Sequence, residues 1–511
     1  MNVRSLLSET EYTLLAGSLD IDIEDVVLDS RQARRNTAFV AMIGQLTDGH
    51  RYIAKAAELG ASLILIDDRR RAEVEEEVMK LASQYDVTVV SVPNCRNAYA
   101  DMAATCFGHP SENMKIIGIT GTKGKTTSTY ILHEILNRSG RNCGLIGSVE
   151  NKIGDLAERS KHTTPEAWEF QKLLSRMRQE NVQHCVMEVS SLGLKFQRTR
   201  GVNFAVGVFT NFLNDHVSEG EHETEEDYFL SKLSLFDHCE IALVNRNSRR
   251  VDEILKYAGE KTKKCYTYSV SGEADFYVKK MAPIEQAGVP GMTFTFVCPE
   301  YETEIFVPLL CDFNVDNALC AAATAYLCGV SKEEIREGMT YAKIPGRMEK
   351  IDNQLGLRVY VDYAHNGDSL EVLLHALRPA CRGRLITVFG CGGHRPPERR
   401  YSMGEVSARC SDYTIVTTDN SRDESFESIS GMILDGFRRV KDADYCVIED
   451  RRAAIAQAVE MATPEDIVVI AGKGHELTME MQGQYVRFVD AEETSSALKE
   501  LEGRRKAEHQ G

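Results

Sequence analysis

The chain is organised around one stretch, Met114-Lys-Ile-Ile-Gly-Ile-Thr-Gly-Thr-Lys-Gly-Lys-Thr-Thr-Ser128. Its isoleucines predict a short buried strand and its glycines a tight turn. The apolar spacing after Thr126 predicts a helix that ends near Gly140. A strand, a glycine loop and a helix N-terminus together present backbone N–H groups to an anion. An ordinary strand–turn–helix connection is the alternative, and the lysine and hydroxyls in register make it the weaker one.

This loop departs from the generic phosphate-loop pattern at one position, because Ile119 stands where that pattern has glycine. The variant that fits is Thr120-Gly-Thr-Lys-Gly-Lys-Thr-Thr127. Lys125 would reach the terminal phosphates of a nucleotide, and the Thr126 hydroxyl would lie on a magnesium ion. The stretch therefore predicts a nucleotide site.

Length and composition bound the class of protein. The 511 residues suggest three domains of roughly 150 residues each. A net charge of -17 argues against a nucleic-acid-binding surface. The fourteen cysteines show no C-x-x-C spacing, which indicates reduced core thiols and not a zinc site. The N-terminus shows no secretory signal and no segment reaches the ~18 apolar residues of a membrane helix, so we expect a cytoplasmic protein without membrane insertion.

Residues 1–109 alternate predicted strands and helices and are expected to form a small α/β domain. A segment rich in turn formers, residues 108–113, follows it as a linker. The polar signature of this domain is Asp29-Ser-Arg31, followed by Asp48-Gly-His50. From the residues alone, a surface turn is the favoured interpretation of either motif.

Residues 110–344 are predicted to form a larger α/β domain that the glycine loop opens. Polar residues follow strand-like runs at three places: His162-Thr-Thr-Pro-Glu166, Glu188 and Asp215-His216. A carboxylate at the end of a buried strand, beside a phosphate loop, is where a magnesium ligand belongs. A capping or ion-paired Glu188 is an equal alternative.

Two further features of the middle region carry weaker predictions. The acidic run from residue 219 to residue 227 is expected to be a solvated loop. The next segment, residues 228–236, predicts a helix with an apolar face that contains Lys232. A lysine in such a place usually extends its ammonium group to water, so Lys232 by itself indicates little.

Residues 345–511 begin at Pro345-Gly346 and repeat a strand–helix pattern, typical of a doubly wound parallel sheet. The predicted strands are residues 359–362, 384–389, 413–417, 444–448 and 466–471. Ligands of such sheets bind beyond the carboxyl ends of the strands. Four polar clusters lie there, at residues 390–395, 418–422, 449–451 and 472–476. One cluster could be chance polarity, but four at one edge favour a binding crevice.

Taken together, these motifs resemble the Mur ligase family over nearly the whole chain, and within it the ligases that add the third residue to a UDP-N-acetylmuramoyl dipeptide. The matching motifs are Asp29-Ser-Arg31, the loop of residues 120–127, Thr163-Thr-Pro165, Glu188-Val-Ser-Ser191, Asp215-His216, Phe313-Asn-Val-Asp-Asn317, Pro345-Gly-Arg347, Asp362-Tyr-Ala-His365, Gly390-Cys-Gly-Gly393 and Ala471-Gly-Lys-Gly-His-Glu476.

The resemblance implies an α/β protein of three domains: a UDP-sugar-binding domain (1–109), a central phosphate-loop ATP-binding domain (110–344) and a C-terminal Rossmann-like amino-acid-binding domain (345–511). It implies a ligase of peptidoglycan precursor synthesis that uses ATP and Mg²⁺ and is expected to be a monomer. ATP would phosphorylate a peptide carboxylate of UDP-N-acetylmuramoyl-L-alanyl-D-glutamate, and the amine of a diamino acid would then displace the phosphate.

Residue roles also follow from the resemblance. ATP contacts would be Gly121, Thr122, Lys123, Gly124, Lys125, Thr126, Thr127, Asn314, Asn317, Arg347 and Asp362. UDP-sugar-peptide contacts would be Ser30, Thr163, Thr164, Ser190 and Arg198. Amino-acid contacts would be Arg395, Asp419, Asn420, Arg422, Gly472 and Glu476. Metal ligands would be Thr126, Glu188, His216 and an N-carboxylated Lys232, and the catalytic set would be Lys125, Glu188, His216 and Lys232.

The chain departs from the family pattern at three places. Leu192 replaces a frequent histidine, the loop after His216 is longer and more acidic, and Asn366-Gly367 replaces Thr-Pro. These changes leave open whether the second metal site is built as usual.

The identity of the amino acid rests on one motif. The chain reads Asp419-Asn-Ser-Arg422 where the family's diaminopimelate enzymes read Asp-Asn-Pro-Arg. An arginine fork suits the extra carboxylate of meso-diaminopimelate, which is therefore favoured over L-lysine. A folylpolyglutamate synthase-like ligase is a further alternative, which the Asp29-Ser-Arg31 domain disfavours. A catalytically silent homologue and a nucleotide hydrolase stay open as well.

Overall fold

The computed structural model describes residues 1–44, 47–213, 222–286, 289–440 and 443–508. Strands within these ranges are β1 Thr13–Ala16, β2 Asp25–Val27, β3 Thr37–Val40, β4 Leu63–Asp67, β5 Thr88–Val92, β6 Lys115–Thr120, β7 Cys143–Ile146, β8 Glu150–Ile153, β9 Leu156–Arg159, β10 His184–Glu188, β11 Phe204–Phe209, β12 Cys239–Asn245, β13 Lys264–Ser269, β14 Phe276–Gln286, β15 Val289–Val297, β16 Glu302–Val307, β17 Glu349–Lys350, β18 Arg358–Asp362, β19 Leu385–Phe389, β20 Tyr413–Val416, β21 Tyr445–Val447, β22 Ile467–Ala471, β23 Thr478–Met481 and β24 Gln484–Arg487.

Helices in the same ranges are α1 Val3–Leu6, α2 Ile53–Glu58, α3 Asp68–Tyr85, α4 Cys95–Phe107, α5 Lys125–Arg138, α6 Ala167–Gln179, α7 Ser191–Lys195, α8 Glu225–Leu233, α9 Val251–Lys261, α10 Asp312–Leu327, α11 Lys332–Met339, α12 Gly367–Leu377, α13 Pro397–Cys410, α14 Phe426–Phe437, α15 Arg451–Met461 and α16 Asp490–Glu508. None of these helices is both long and apolar enough to span a bilayer. The α/β class predicted from the sequence is confirmed.

Contacts divide the chain into two compact units. The first unit comprises residues 1–278, 297–301 and 319–338, and the second comprises residues 279–296, 302–318 and 339–511. The first unit thus contains the whole of the predicted N-terminal domain and most of the predicted central domain. The division into domains at residues 109 and 344 stays a prediction.

The N-terminal part of the first unit holds a five-stranded sheet with the order β1-β5-β4-β3-β2, parallel except for β1. Successive residues of β4 alternate between two cores. Leu63 and Leu65 pack on one face of the sheet, and Ile64 and Ile66 pack on the other. Because neighbouring side chains of a strand point to opposite faces, both faces are buried, as parallel sheets require.

The larger sheet of the first unit places β6 between β10 and β11, with the three strands parallel. It continues through β12, β13 and the first residues of β14 on one side, and through β7, β8 and β9 on the other. Residues 116–120 of β6 are all buried. The loop after β6 therefore starts from a fixed central strand, flanked by the ends of β10 and β11.

The second unit contains a six-stranded sheet with the order β17-β18-β22-β19-β20-β21, parallel except for β17. Leu385 and Phe389 of β19 pack in one core, and Ile386 and Val388 pack in the other. Helices α12, α13 and α14 contribute to the first core, and α15 and α16 to the second. The predicted doubly wound sheet is confirmed, with strand ends that differ from the predicted ones by no more than one residue.

Candidate functional site

The glycine loop joins β6 to α5 through residues 121–124. Gly121 has a φ of +144° and Gly124 a φ of +86°, a backbone conformation that favours glycine. A Cβ on Gly121 would collide with the Thr210 hydroxyl. The N-cap residue of α5 is Gly124, which has no side chain to cap the helix, and the N-terminus of a helix attracts an anion. The geometry fits a phosphate group, as the sequence predicted.

Two lysines meet on this loop. The Nζ of Lys125 donates to the carbonyl oxygens of Gly121 at 2.8 Å and Thr122 at 3.1 Å. The Nζ of Lys232 donates to the same Gly121 oxygen at 2.9 Å and lies 4.5 Å from the centre of the Tyr228 ring. Lys232 is only 2% exposed. Its ammonium group therefore does not extend into water, contrary to the usual behaviour of a lysine on an apolar helix face.

Glu188 lies at the end of β10, next to the loop. Its register partner in β6 is Ile119, one residue before the loop begins. The Oε2 of Glu188 accepts hydrogen bonds from the hydroxyls of Thr126 at 2.9 Å and Ser148 at 3.1 Å, and its Oε1 accepts from the Ser148 N–H at 2.8 Å. A buried carboxylate and hydroxyl oxygens are hard donors of the kind that Mg²⁺ prefers. The described residues therefore fit a magnesium ion here.

The other flank of the loop is held by residues that follow β11. Asn211 accepts from the Lys123 N–H at 2.8 Å, and the Thr210 hydroxyl donates to the Lys123 carbonyl at 2.7 Å. The Thr122 hydroxyl accepts from the Leu213 N–H at 3.0 Å. His216, near which the family resemblance implies a second metal, lies outside the described residues, and so does Asp215 of the same motif.

Four of the five predicted UDP-sugar-peptide contacts lie in one cluster. The Thr164 hydroxyl donates to the Glu188 carbonyl at 3.0 Å and accepts from the Ser190 N–H at 2.9 Å. Arg198 donates to the Thr164 carbonyl at 3.0 Å. The Thr163 hydroxyl lies 3.0 Å from that of Ser148, which reaches Glu188. Ser30, the fifth, lies in the turn Ser30–Gln32 after β2, and no hydrogen bond among the described residues joins it to this cluster.

Sequence reasoning missed His222. The run from residue 219 to residue 227 was expected to be a solvated loop. In its described part Glu223, Thr224 and Glu226 are exposed, but residues 225–227 already belong to α8 and His222 is only 1% exposed. The His222 ring lies 2.9 Å from the Ser191 hydroxyl and 3.0 Å from the Asp227 carboxylate. A histidine inside an acidic run, just before an amphipathic helix, was the only signal available, and it is a weak one.

The predicted adenosine contacts lie in the second unit. The carboxylate of Asp362 accepts from the N–H groups of Met348 and Ala364, both at 2.8 Å. Burial raises the pKa of Asp362, although the Arg347 guanidinium opposes that rise. Arg347 lies 4.6 Å from the centre of the Tyr363 ring. On α10, the Asn317 amide donates to Asn314 at 3.2 Å. Leu310 and Cys311, just before this helix, belong to the same hydrophobic core as Met348 and Ala364, which lie near Arg347 and Asp362 in the chain.

The loops after β19, β20 and β22 meet in the second unit, and all six predicted amino-acid contacts lie on them. The Asn420 amide donates to Glu476 at 2.7 Å, and a Cβ on Gly472 would lie 2.8 Å from the Asp419 carboxylate. Arg422 donates from Nη1 to the Gly393 carbonyl at 2.6 Å. Arg395 is exposed, and only a near contact of its Cγ with the Gly392 position places it at this edge.

Three residues in or beside these loops were not predicted as contacts. Lys473 is fully buried and donates to Glu476 at 2.8 Å. Glu480 accepts from the Arg422 Nε at 3.3 Å. Arg451, from the fourth polar cluster, is buried against Asp490 at 2.7 Å and donates to the Thr418 and Ala471 carbonyls. Arg451 therefore supports the strand ends and does not face the crevice.

Comparison with known protein families finds three matches along this chain. The Mur ligase family catalytic domain matches residues 22–106, the Mur ligase middle domain matches residues 119–325, and the Mur ligase glutamate ligase domain matches residues 346–474.

Individual relatives match over nearly the full length. UDP-N-acetylmuramoyl-L-alanyl-D-glutamate--2,6-diaminopimelate ligase 1 of Clostridium acetobutylicum is 35% identical over 504 residues, which cover 98% of this chain and 100% of the relative. The corresponding ligase of Clostridium tetani is 36% identical over 504 residues, with the same coverage. A solved structure of a UDP-N-acetylmuramoyl-L-alanyl-D-glutamate--2,6-diaminopimelate ligase is 26% identical with a TM-score of 0.67 and covers 98% of this chain and 99% of its own.

Proposed function

Because this chain belongs to the Mur ligase family, we propose that it joins meso-diaminopimelate to UDP-N-acetylmuramoyl-L-alanyl-D-glutamate in peptidoglycan precursor synthesis, with cleavage of ATP to ADP. The observation that carries this proposal is that relatives named for this ligation align with 98% of the chain. The phosphate loop, with Thr126 bonded to the buried Glu188, supplies the site that such a reaction needs. We expect the enzyme to work as a monomer in the cytoplasm.

In the first step, an oxygen of the peptide carboxylate attacks the γ-phosphorus of ATP, and the bond to the β-phosphate oxygen breaks. The products are an acyl phosphate and ADP. Negative charge moves toward the leaving oxygen, so groups that stabilise this charge lower the barrier. The N-terminus of α5 and the ammonium group of Lys125 are the groups that we propose for that task.

A magnesium ion bound beside Thr126 and Glu188 would neutralise charge on the transferred phosphate. Both side chains are nearly buried, and each offers an oxygen. We propose His216 as a ligand of a second ion from the family resemblance alone.

Lys232 is proposed to act as a carbamate. Two ammonium groups, those of Lys125 and Lys232, donate to one carbonyl oxygen, where their like charges repel. Addition of the deprotonated Lys232 amine to CO2, with a new N–C bond and release of a proton, would replace one of the two cations with an anion. An anion at this buried position would attract a cation, such as a metal ion or a lysine ammonium group, to the region near the phosphates.

In the second step, the amine of the amino acid attacks the acyl carbon of the acyl phosphate. The carbon–oxygen bond to phosphate breaks, a peptide bond forms, and phosphate and one proton leave. We propose that Asp419 and Glu476 hold the distal ammonium group of the amino acid, and that Arg422 and Arg395 hold its distal carboxylate. The adenosine contacts would be Asn314, Asn317, Arg347 and Asp362, and the sugar-peptide contacts Ser30, Thr163, Thr164, Ser190 and Arg198.

The test is release of ADP with UDP-N-acetylmuramoyl-L-alanyl-D-glutamate and each of meso-diaminopimelate and L-lysine. We expect release that requires both peptide and amino acid, with the higher kcat/KM for meso-diaminopimelate. Release of ADP without an amino acid would indicate a nucleotide hydrolase. Release with a folate and glutamate, and none with the UDP-sugar peptide, would instead indicate a folylpolyglutamate synthase-like ligase.

A further inference from the structure

We infer that His222 is a positioning residue that holds helix α7 and the Ser190 turn in the shape that binds the UDP-sugar peptide. The inference rests on the proposed function and adds to it a residue to which the family resemblance assigned no role. In the sequence, the residues on either side of His222 are not proposed metal ligands. Its side chain is 0% exposed. It therefore acts on the substrate through its neighbours and not by direct contact.

The hydrogen bonds of His222 define its tautomer. A carboxylate can only accept, so the Nδ1 that lies 3.0 Å from Asp227 carries the proton. The unprotonated Nε2 then accepts from the Ser191 hydroxyl at 2.9 Å. Burial lowers the pKa of His222, although Asp227 opposes this, and a neutral ring is the form that the Ser191 bond requires.

The same carboxylate reaches both ends of α7. Asp227 bonds His222, which holds Ser191 at the first residue of this helix, and also pairs with Lys195 at its last residue, at 2.6 Å. A helix of 5 residues is too short to be stable alone. This pair of contacts therefore holds the two ends of α7, while Leu194 packs its middle into the core, and His222 makes one of the two contacts.

Three proposed substrate contacts depend on α7. The Ser190 hydroxyl caps the helix by accepting from the Gly193 N–H at 3.0 Å. The Ser190 N–H donates to Thr164 at 2.9 Å. The Arg198 N–H donates to the Gly193 carbonyl at 2.9 Å. A shift of α7 would move these groups together. The phosphate loop and the α5 helix that follows it lie in a different segment and should not move with them.

The experiment compares His222→Asn with Ser191→Ala and with the double variant. An asparagine amide can keep the bond to Asp227 but is too short to reach Ser191, and Ser191→Ala removes the same bond from the other side. We expect the KM for the UDP-sugar dipeptide to rise about tenfold in each single variant, the effect of one lost buried hydrogen bond. The double variant should be no worse than either single one, and the KM for ATP should stay within twofold.

His184→Asn is the matched control, because His184 is a buried histidine at the start of β10 and should leave both KM values unchanged. Far-ultraviolet circular dichroism and Tm verify folding, and calorimetric titration of the UDP-sugar dipeptide measures its Kd directly. A lowered Tm with an unchanged KM and Kd for the dipeptide would mean a purely structural role. Equal rises in both KM values, or additive effects in the double variant, would equally overturn the inference. A wild-type protein that does not ligate would overturn the proposed function itself.

Discussion

At the scale of single residues, the phosphate loop is defined by what surrounds one carbonyl oxygen. Lys125 and Lys232 both donate to Gly121, although 107 residues of sequence separate the two lysines. Gly121 itself cannot change, because a Cβ would collide with Thr210. The chemistry of the site therefore depends on side chains that no local pattern in the sequence brings together.

Replacement of Lys125 by alanine should lower kcat for ADP release by about a hundredfold or more, because charge stabilisation at a transferring phosphate is lost. The fold should survive, since the helix that follows is held by its own core residues. Lys172→Ala, an exposed lysine on α6, is the control and should behave as wild type. Near wild-type turnover in a folded Lys125→Ala protein would exclude this loop as the site.

Lys232→Ala and Lys232→Arg should both be nearly inactive if Lys232 works as a carbamate. Arginine keeps the positive charge but does not form the carbamate, so the pair separates the role of the charge from that of the modification. A small added carboxylate should restore part of the activity of Lys232→Ala. The measurements are ADP release and the mass of the intact protein in bicarbonate buffer. Full activity in Lys232→Arg would contradict the carbamate.

At the scale of elements, the proposed amino-acid site is built by the loops after parallel strands. The loops after β19 and β20 approach so closely that a Cβ on Gly390 or Gly393 would collide with backbone oxygens of the neighbouring loop. Arg422 adopts a φ of +56° there, and Gly393 and Glu480 orient its guanidinium. Parallel strands bring these loops to one edge, which is why clusters far apart in the chain meet.

Arg422→Ala should lower kcat/KM for meso-diaminopimelate by an amount that corresponds to about 1.5–3 kcal/mol of transition-state stabilisation, the value of a hydrogen bond to a charged group. The kcat/KM for L-lysine should change little. The reason is that only diaminopimelate has a distal carboxylate for the arginine fork. Steady-state kinetics with both amino acids measure the difference, and Arg452→Ala, an exposed arginine paired with Glu493, is the control. An equal loss for both amino acids, or a wild-type preference for lysine, would contradict the assignment.

At the scale of the whole molecule, the chain forms two compact units, each with its own hydrophobic cores. Separate cores allow separate unfolding, so a scanning calorimeter should record a van't Hoff enthalpy below the calorimetric one. The second unit also contains a fully buried ion pair, Arg451 with Asp490 at 2.7 Å. This pair connects α15 to the start of α16 and fixes the carbonyl groups of Thr418 and Ala471.

Asp490→Asn should destabilise the second unit by about 3–5 kcal/mol, because it leaves the Arg451 charge buried without its partner. Only the calorimetric transition of that unit should move. Asp435→Asn, at an exposed ion pair with Arg438, is the control and should change stability by less than about 1 kcal/mol. A single two-state transition in wild type, or a shift of the whole profile in Asp490→Asn, would contradict separate unfolding.

Much of the fold could be predicted from local signals. The helix expected after the glycine loop is α5, and Gly140 follows its end with a φ of +73°. The strand expected at residues 466–471 is β22, Ile467–Ala471. Such elements were predictable because burial patterns and turn residues act over a few positions. The roles of His222 and Glu480 were not predictable, because histidine and glutamate are common on protein surfaces and the local sequence does not show which distant residue they contact.

The sequence by itself determined the phosphate loop, the α/β class and the family, because glycine conformation, strand patterning and motif spacing are local properties. Only the tertiary structure decided that Lys232 is buried against the Gly121 oxygen and that Arg451 forms an internal ion pair. It also decided that His222 connects Ser191 to Asp227. The free energy of a buried polar group depends on the partner that replaces its water. That partner is chosen by the packing of elements far apart in the chain, so no local pattern reveals it.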